Sequence, residues 1–209
     1  MSLLNNKFLF VHINKSGGGV ITNHMNINGN TKITNKHRSL EQMLNIAKNK
    51  HNLKKKDLYI FTIVRNPWER MLSMYLFYHK NNYNSPEFFS GNNKIDNDFK
   101  EWIKYIYSNK FNRNRLHGVI NVFKYCFCNQ LNWISDNSGN IININKILRF
   151  ENNELEDFLK NTMKLKKINT KKRVHPTKHK HYSEYYDEET KLLVEKHYKK
   201  DIKYFGYTF

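Results

Sequence analysis

Proline occurs three times in these 209 residues and glycine eight times. Against that scarcity, the three consecutive glycines Gly17, Gly18 and Gly19 mark a backbone requirement rather than a drift in composition. Cysteine is nearly absent. Cys126 and Cys128 are separated by one residue, a spacing that disfavours an intrachain bridge, and no adjacent His or Cys pattern completes a metal site. Two thiols in a reducing compartment are expected, and no metal. No apolar run reaches bilayer-spanning length. The opening MSLLNNKFLF has no basic region followed by a long apolar stretch and a small-residue cleavage site, so neither a signal peptide nor a membrane span is expected. These absences lead to the expectation of a soluble cytoplasmic or intracellular chain.

Acidic residues are also few, 18 against 36 Lys and Arg, which gives a formal charge of +18. Such a field attracts polyanions: nucleic acids, anionic glycans, nucleotides. Yet Lys far outnumbers Arg, and Asn, Ile and Lys dominate together, as an AT-rich genome would produce. Charge alone therefore selects no function. Apolar residues make up 39% and aromatics 14%. They are spread along the chain, which is enough for a folded core. One domain spanning 1–209 is expected, with no internal repeat.

Phe8 to Ile13 reads as a buried strand running into the Lys-Ser-Gly-Gly-Gly loop, after which Val20 to Met25 begins a helix. Leu58 to Val64 is a second buried strand. It breaks at RNPWER, where Asn66 suits an N-cap, Pro67 the first helical position and Glu69 the capping-box acid. Leu72, Tyr75 and Leu76 then fall on one core-facing stripe. Asn81 to Asn97 reads as a long loop, Asp98 to Tyr107 as a helix, and Ile141 to Phe150 as a third strand. An amphipathic helix starts in ENNELEDFLKNTMKL, a basic loop covers Lys171 to His181, and a final helix runs from Asp187 to Lys203. Strands alternating with helices indicate an α/β fold: a P-loop-like three-layer α/β/α arrangement with a central, mainly parallel sheet.

Strand, glycine-rich loop, helix is the arrangement that offers backbone N–H groups and a helix N-terminus to a phosphate. Lys15 adds a mobile cation. In a Walker A loop the Lys follows the glycines; here it precedes them, which argues against an ordinary ATPase or nucleotide kinase. Arg65, at the end of the second strand, suits bidentate contact with a second phosphate. Ser73 lies a little over two turns farther on and can face the same side. A plain helix cap, with Arg65 paired to a surface acid, accounts for the same spacing.

VHINKSGGG resembles the 5′-phosphosulfate loop of the PAPS-dependent sulfotransferases (PAPS, 3′-phosphoadenosine 5′-phosphosulfate). FTIVRNPWERMLSMY resembles their 3′-phosphate motif. ILRFENNELEDF and EYYDEETKLLVEKHYKKDIKYFGYTF are similar to later blocks of the small carbohydrate branch, the heparan 2-O and chondroitin-like enzymes. The four blocks follow in order over nearly the whole chain. The resemblance implies in-line transfer of a sulfuryl group from PAPS to a hydroxyl, with a carbohydrate as the expected acceptor. It places Lys15 at the bridging oxygen, as a catalytic group. Ser16, Gly17, Gly18, Gly19 and Val20 fall around the 5′ end, and Arg65 and Ser73 on the 3′-phosphate. His37, in NKHRSL, corresponds to the general base, a role its ordinary pKa suits. Gly19 stands where the family usually has Thr or Ser, and Thr22 is the candidate to replace that hydroxyl.

By the same resemblance, His117, Asn129 and Gln130 fall among site-lining polar positions, and the loop Lys171 to His181 covers the nucleotide. His12, Arg149, Tyr185 and Tyr186 read as structural. Two other classes remain open: a silent relative that binds nucleotide or glycan without turnover, and a basic nucleic-acid-binding protein. The second lacks a recognisable reading motif or interleaved exposed aromatics.

Overall fold

The computed structural model describes residues 2–29, 31–33, 38–80, 90–108, 127–166, 168 and 179–209. The chain divides into two compact units, Met1–Arg65 with Gln130–Val174, and Asn66–Asn129 with His175–Phe209.

The first unit carries the sheet. Strands β1 (Ser2–Leu4), β2 (Phe8–Val11), β3 (Thr31–Ile33), β4 (Tyr59–Val64) and β5 (Lys146–Arg149) lie in the order β3-β1-β2-β4-β5. β2, β4 and β5 run parallel, in registers Phe10↔Phe61 and Thr62↔Ile147, whereas β1 joins β2 and β3 antiparallel. The α/β class and the parallel core of the sheet are as expected from the sequence. β2 and β4 are apolar almost throughout because both their faces are covered. Phe61 stacks on Phe10, with ring centroids 5.1 Å apart, and meets Phe158 in a tilted arrangement at 4.8 Å. Buried Thr62 spends its hydroxyl proton on the Val11 carbonyl, at 2.8 Å.

Helix α1 (Gly18–Asn28) follows β2, and α2 (Leu40–His51) opens on a Ser39–Gln42 capping box. The third strand is shorter than the expected Ile141 to Phe150. Ile141 makes only an isolated bridge to Ser135, and Asn145 pairs with Ile60 through its backbone N–H and its side-chain Oδ1 before β5 starts. The helix after it is broken up. A single turn at Leu155–Asp157 runs into a π-helical stretch, Phe158–Thr162, closed by Met163 N–H on the Phe158 carbonyl.

The second unit is helical among the described residues. It contains α3 (Pro67–Lys80), α4 (Asn93–Asn97), α5 (Phe99–Tyr107), α6 (Glu188–His197) and α7 (Lys199–Phe205). Asn66 caps α3 as expected, accepting from the N–H groups of Trp68 and Glu69. Trp102 and Ile103 are fully buried, and the Trp102 ring lies 5.3 Å from that of Tyr75. Two expectations change here. Part of the expected loop at Asn81 to Asn97 is helix α4, and the expected C-terminal helix breaks at Tyr198 into α6 and α7.

Candidate functional site

The carboxyl ends of the three parallel strands, where open α/β sheets bind ligands, supply one group of residues in the first unit. β2 gives way to the loop His12–Gly17, β4 ends at Val64 just before Arg65, and β5 leads into Phe150. The loop makes its turn with Lys15 at φ 61° and Gly17 at φ 82°. Gly17 is the N-cap of α1, which begins at Gly18 with its first-turn N–H groups and the positive end of its dipole at the loop.

Two of the glycines are explained by their neighbours. A Cβ at Gly17 would stand 2.6 Å from Cδ2 of Phe150, and one at Gly18 would stand 2.3 Å from Cδ2 of His12. His12 is itself packed, 8% exposed, with its ring stacked on Phe10 at 5.4 Å. The loop backbone is therefore bare because aromatic rings fill the space beneath it.

Arg65 ties the loop to the end of β4. Its Nη1 donates to the Lys15 carbonyl at 3.1 Å, and its guanidinium lies 4.3 Å from the centroid of the Phe150 ring. Such a contact contributes roughly 0.5–2 kcal/mol, more as it is desolvated, and Arg65 is 7% exposed. Fully buried Gln130 completes the group. Its Oε1 accepts from Arg65 N–H at 2.9 Å and from Ser16 Oγ at 3.2 Å, and its Nε2 donates to the Arg65 carbonyl at 2.8 Å. The β5 end is braced by Glu154, which accepts from Arg149 N–H and pairs with Lys146 at 2.9 Å. Lys146, above all, holds the Glu154 carboxyl below its usual range.

This is a fixed cation and a Lys-bearing loop at a helix N-terminus, a group suited to a polyanionic ligand such as a nucleotide phosphate. The model of the Sulfotransferase family matches residues 4–208. The chain belongs to the sulfotransferase family. No curated protein and no solved structure matches it. Its family transfers sulfuryl groups, and the glycine loop and Arg65 are the parts of this sulfotransferase that carry two of the motifs legible in its sequence.

Of the sequence-predicted residues, the structure brings Lys15, Ser16, Gly17, Gly18 and Arg65 together in the first unit, with Gly19 and half-buried Val20 on the first turn of α1. Ser73 belongs to the second unit, on α3, and is 7% exposed. Thr22 does not present a spare hydroxyl proton. Its Oγ1 donates back to the Gly18 and Gly19 carbonyls at 3.2 and 3.1 Å. His37 and His117 lie outside the described residues, as does 171–178 of the basic loop. Asn129 is a brace in the second unit, donating to the His197 carbonyl and accepting from Asp201 N–H. Tyr186 packs as expected, its hydroxyl on the Trp68 carbonyl at 2.9 Å; burial pushes its pKa well up.

Sequence reasoning missed Phe150 altogether and did not foresee what Gln130 does. No local signal marks either, because their partners lie more than 60 positions away in the chain. Among the described residues, no helix is long and apolar enough to cross a membrane, and no cluster of three His, Cys, Asp or Glu could hold a metal.

Proposed function

We propose that this sulfotransferase takes its sulfuryl group from PAPS and delivers it to a hydroxyl, with a carbohydrate as acceptor class, and that the chain forms one sulfotransferase domain. The observation that carries the reading is the hydrogen bond from Arg65 to the Lys15 carbonyl. It joins the two motifs that sequence resemblance assigns to opposite ends of one nucleotide. The bare Gly17–Gly18 backbone over Phe150 and His12 fits a phosphate group that must approach closely.

PAPS supplies a sulfuryl group on a phosphate leaving group; attack by the acceptor oxygen forms the new S–O bond as the S–O bond to the 5′-phosphate breaks. The protein does little covalent work in such a step, and positioning and charge stabilisation carry it. In this reading Lys15 meets the negative charge developing on the bridging oxygen. The backbone N–H groups of Ser16, Gly17, Gly18, Gly19 and Val20 hold the 5′ end, Arg65 and Ser73 hold the 3′-phosphate, and His37 takes the acceptor proton. The His37 and Ser73 assignments rest on the sequence resemblance.

A second reading, nucleotide binding without turnover, is favoured by one observation. The hydroxyl that Gly19 lacks is not replaced by Thr22, whose proton is spent on its own helix. Calorimetric titration with 3′,5′-ADP, 5′-AMP and ATP tests the shared premise. Selective binding of 3′,5′-ADP is expected; equal or absent binding of all three rejects the nucleotide site. Transfer of radiolabelled sulfate from PAPS to a panel of glycans then separates an enzyme from a silent binder.

A further inference from the structure

The buried Gln130 side chain does what a neighbouring strand would do. At Arg65 the chain has just left β4, and its N–H and C=O would otherwise stay inside the protein without a ladder partner. The Gln130 amide meets both, N–H on Oε1 and C=O on Nε2, with the pairing of one peptide group against another. This double contact fixes which end of the amide is oxygen, since a flipped amide would oppose donor to donor and acceptor to acceptor. The second lone pair of the same Oε1 takes the Ser16 hydroxyl proton.

Two consequences follow from the donor inventory. Ser16 Oγ has a single proton, and in this structure it is given to Gln130; Ser16 is 0% exposed. Its hydroxyl then has only lone pairs to offer an anion, so the Ser16 contribution to a phosphate comes from its backbone N–H. Gln130 also grips the phosphate loop and the Arg65 backbone at once, so it sets the spacing between two segments that are 50 residues apart in sequence.

We infer that Gln130 is a positioning residue that fixes the separation between the 5′-phosphate loop and Arg65, and so sets the preference for a nucleotide phosphorylated at both ends. The inference rests on the proposed nucleotide reading. A rigid spacing lets the second phosphate bind at the effective concentration set by the first, and a loosened spacing forfeits that gain without removing either contact. Loss of Gln130 therefore weakens 3′,5′-ADP more than 5′-AMP, whereas general destabilisation weakens both alike.

The 209-residue chain is titrated with 3′,5′-ADP and 5′-AMP as wild type, Gln130→Met, Gln130→Asn, Ser16→Ala and Ser16→Ala/Gln130→Met, with thermal unfolding followed on each. Gln130→Met removes the three bonds at similar volume; Gln130→Asn keeps the amide but shortens its reach, for use if the Met variant does not fold. The ratio of the two affinities is expected to fall about tenfold in the Gln130 variants, the size of coupling that contacting residues show. Ser16→Ala is expected to cost less, and the double variant no more than Gln130→Met alone. An unchanged ratio in a folded Gln130 variant overturns the inference, as does a fully multiplicative loss in the double variant, which would mean that the Ser16 hydroxyl contacts the ligand directly. If wild type itself does not prefer 3′,5′-ADP, the nucleotide reading falls and this inference with it; the wild-type titration tells the two failures apart.

Discussion

Gly17 and Gly18 are bare for different reasons. Gly17 sits at φ 82° above the Phe150 ring, and Gly18 is helical but lies on the face of His12. A side chain at Gly17 therefore meets both backbone strain, about 1–2 kcal/mol, and the ring beneath. Gly18→Ala, by contrast, meets only sterics, and overpacking of this kind costs about 1–3 kcal/mol. In a His12→Ala background that clash is gone, and Ala is the better helix former. Chemical denaturation is thus expected to show Gly18→Ala destabilising the wild type and neutral or stabilising beside His12→Ala. Equal cost in both backgrounds would show that His12 is not what Gly18 accommodates. The need for glycine was legible as a triplet in a glycine-poor chain. Its causes were not, because Phe150 is 133 positions away from Gly17 and His12 reads locally as one more strand residue.

Among the elements, boundaries marked by side-chain chemistry were legible and those set by packing were not. The Asn66-Pro67 start of α3 could be read directly, and the start of α5 to within one residue. β1 is only three residues long, and its pairing with β2 and β3 supplies what its length does not. The break at Tyr198 has no Gly or Pro to announce it. Buried Tyr198 reaches the Met71 sulfur at 3.2 Å and lies beside the Arg70 guanidinium, and that packing redirects the helix. Burial pushes its pKa to about 12.

The α6 start is a capping box, with Asp187 accepting from Thr190 N–H and Thr190 Oγ1 accepting from Asp187 N–H. Hydrogen bonds from Thr190, first among several causes, hold the Asp187 carboxyl below its ordinary range. A depressed carboxyl contributes stability above its unfolded pKa, near 4, and loses it as pH falls through the lower folded value. Asp187→Ala is expected to cost about 1 kcal/mol at neutral pH. The deficit should shrink as the pH drops below about 4; a deficit that stays constant on acidification would show that the charge plays no part in the cap.

At the scale of the whole molecule, the +18 charge was the loudest signal in the sequence and the least specific. Function became legible through four short blocks in order, and the family match over residues 4–208 agrees with them. The charge does predict a salt effect. Raising ionic strength from about 0.1 M to about 1 M shortens the screening length from about 10 to about 3 Å, so 3′,5′-ADP should bind severalfold more weakly. Affinity independent of salt would exclude a charge-dominated site.

In the proposed nucleotide site Arg65, held against the Lys15 carbonyl, reads a second phosphate. The ratio of 3′,5′-ADP to 5′-AMP affinity in wild type and Arg65→Ala tests it most directly. Losing hydrogen bonds to a charged group costs about 1.5–3 kcal/mol, so the ratio should fall roughly ten- to a hundredfold toward unity, with 5′-AMP affinity little changed. A ratio that survives Arg65→Ala, or an equal loss for both nucleotides, would show that Arg65 reads no second phosphate.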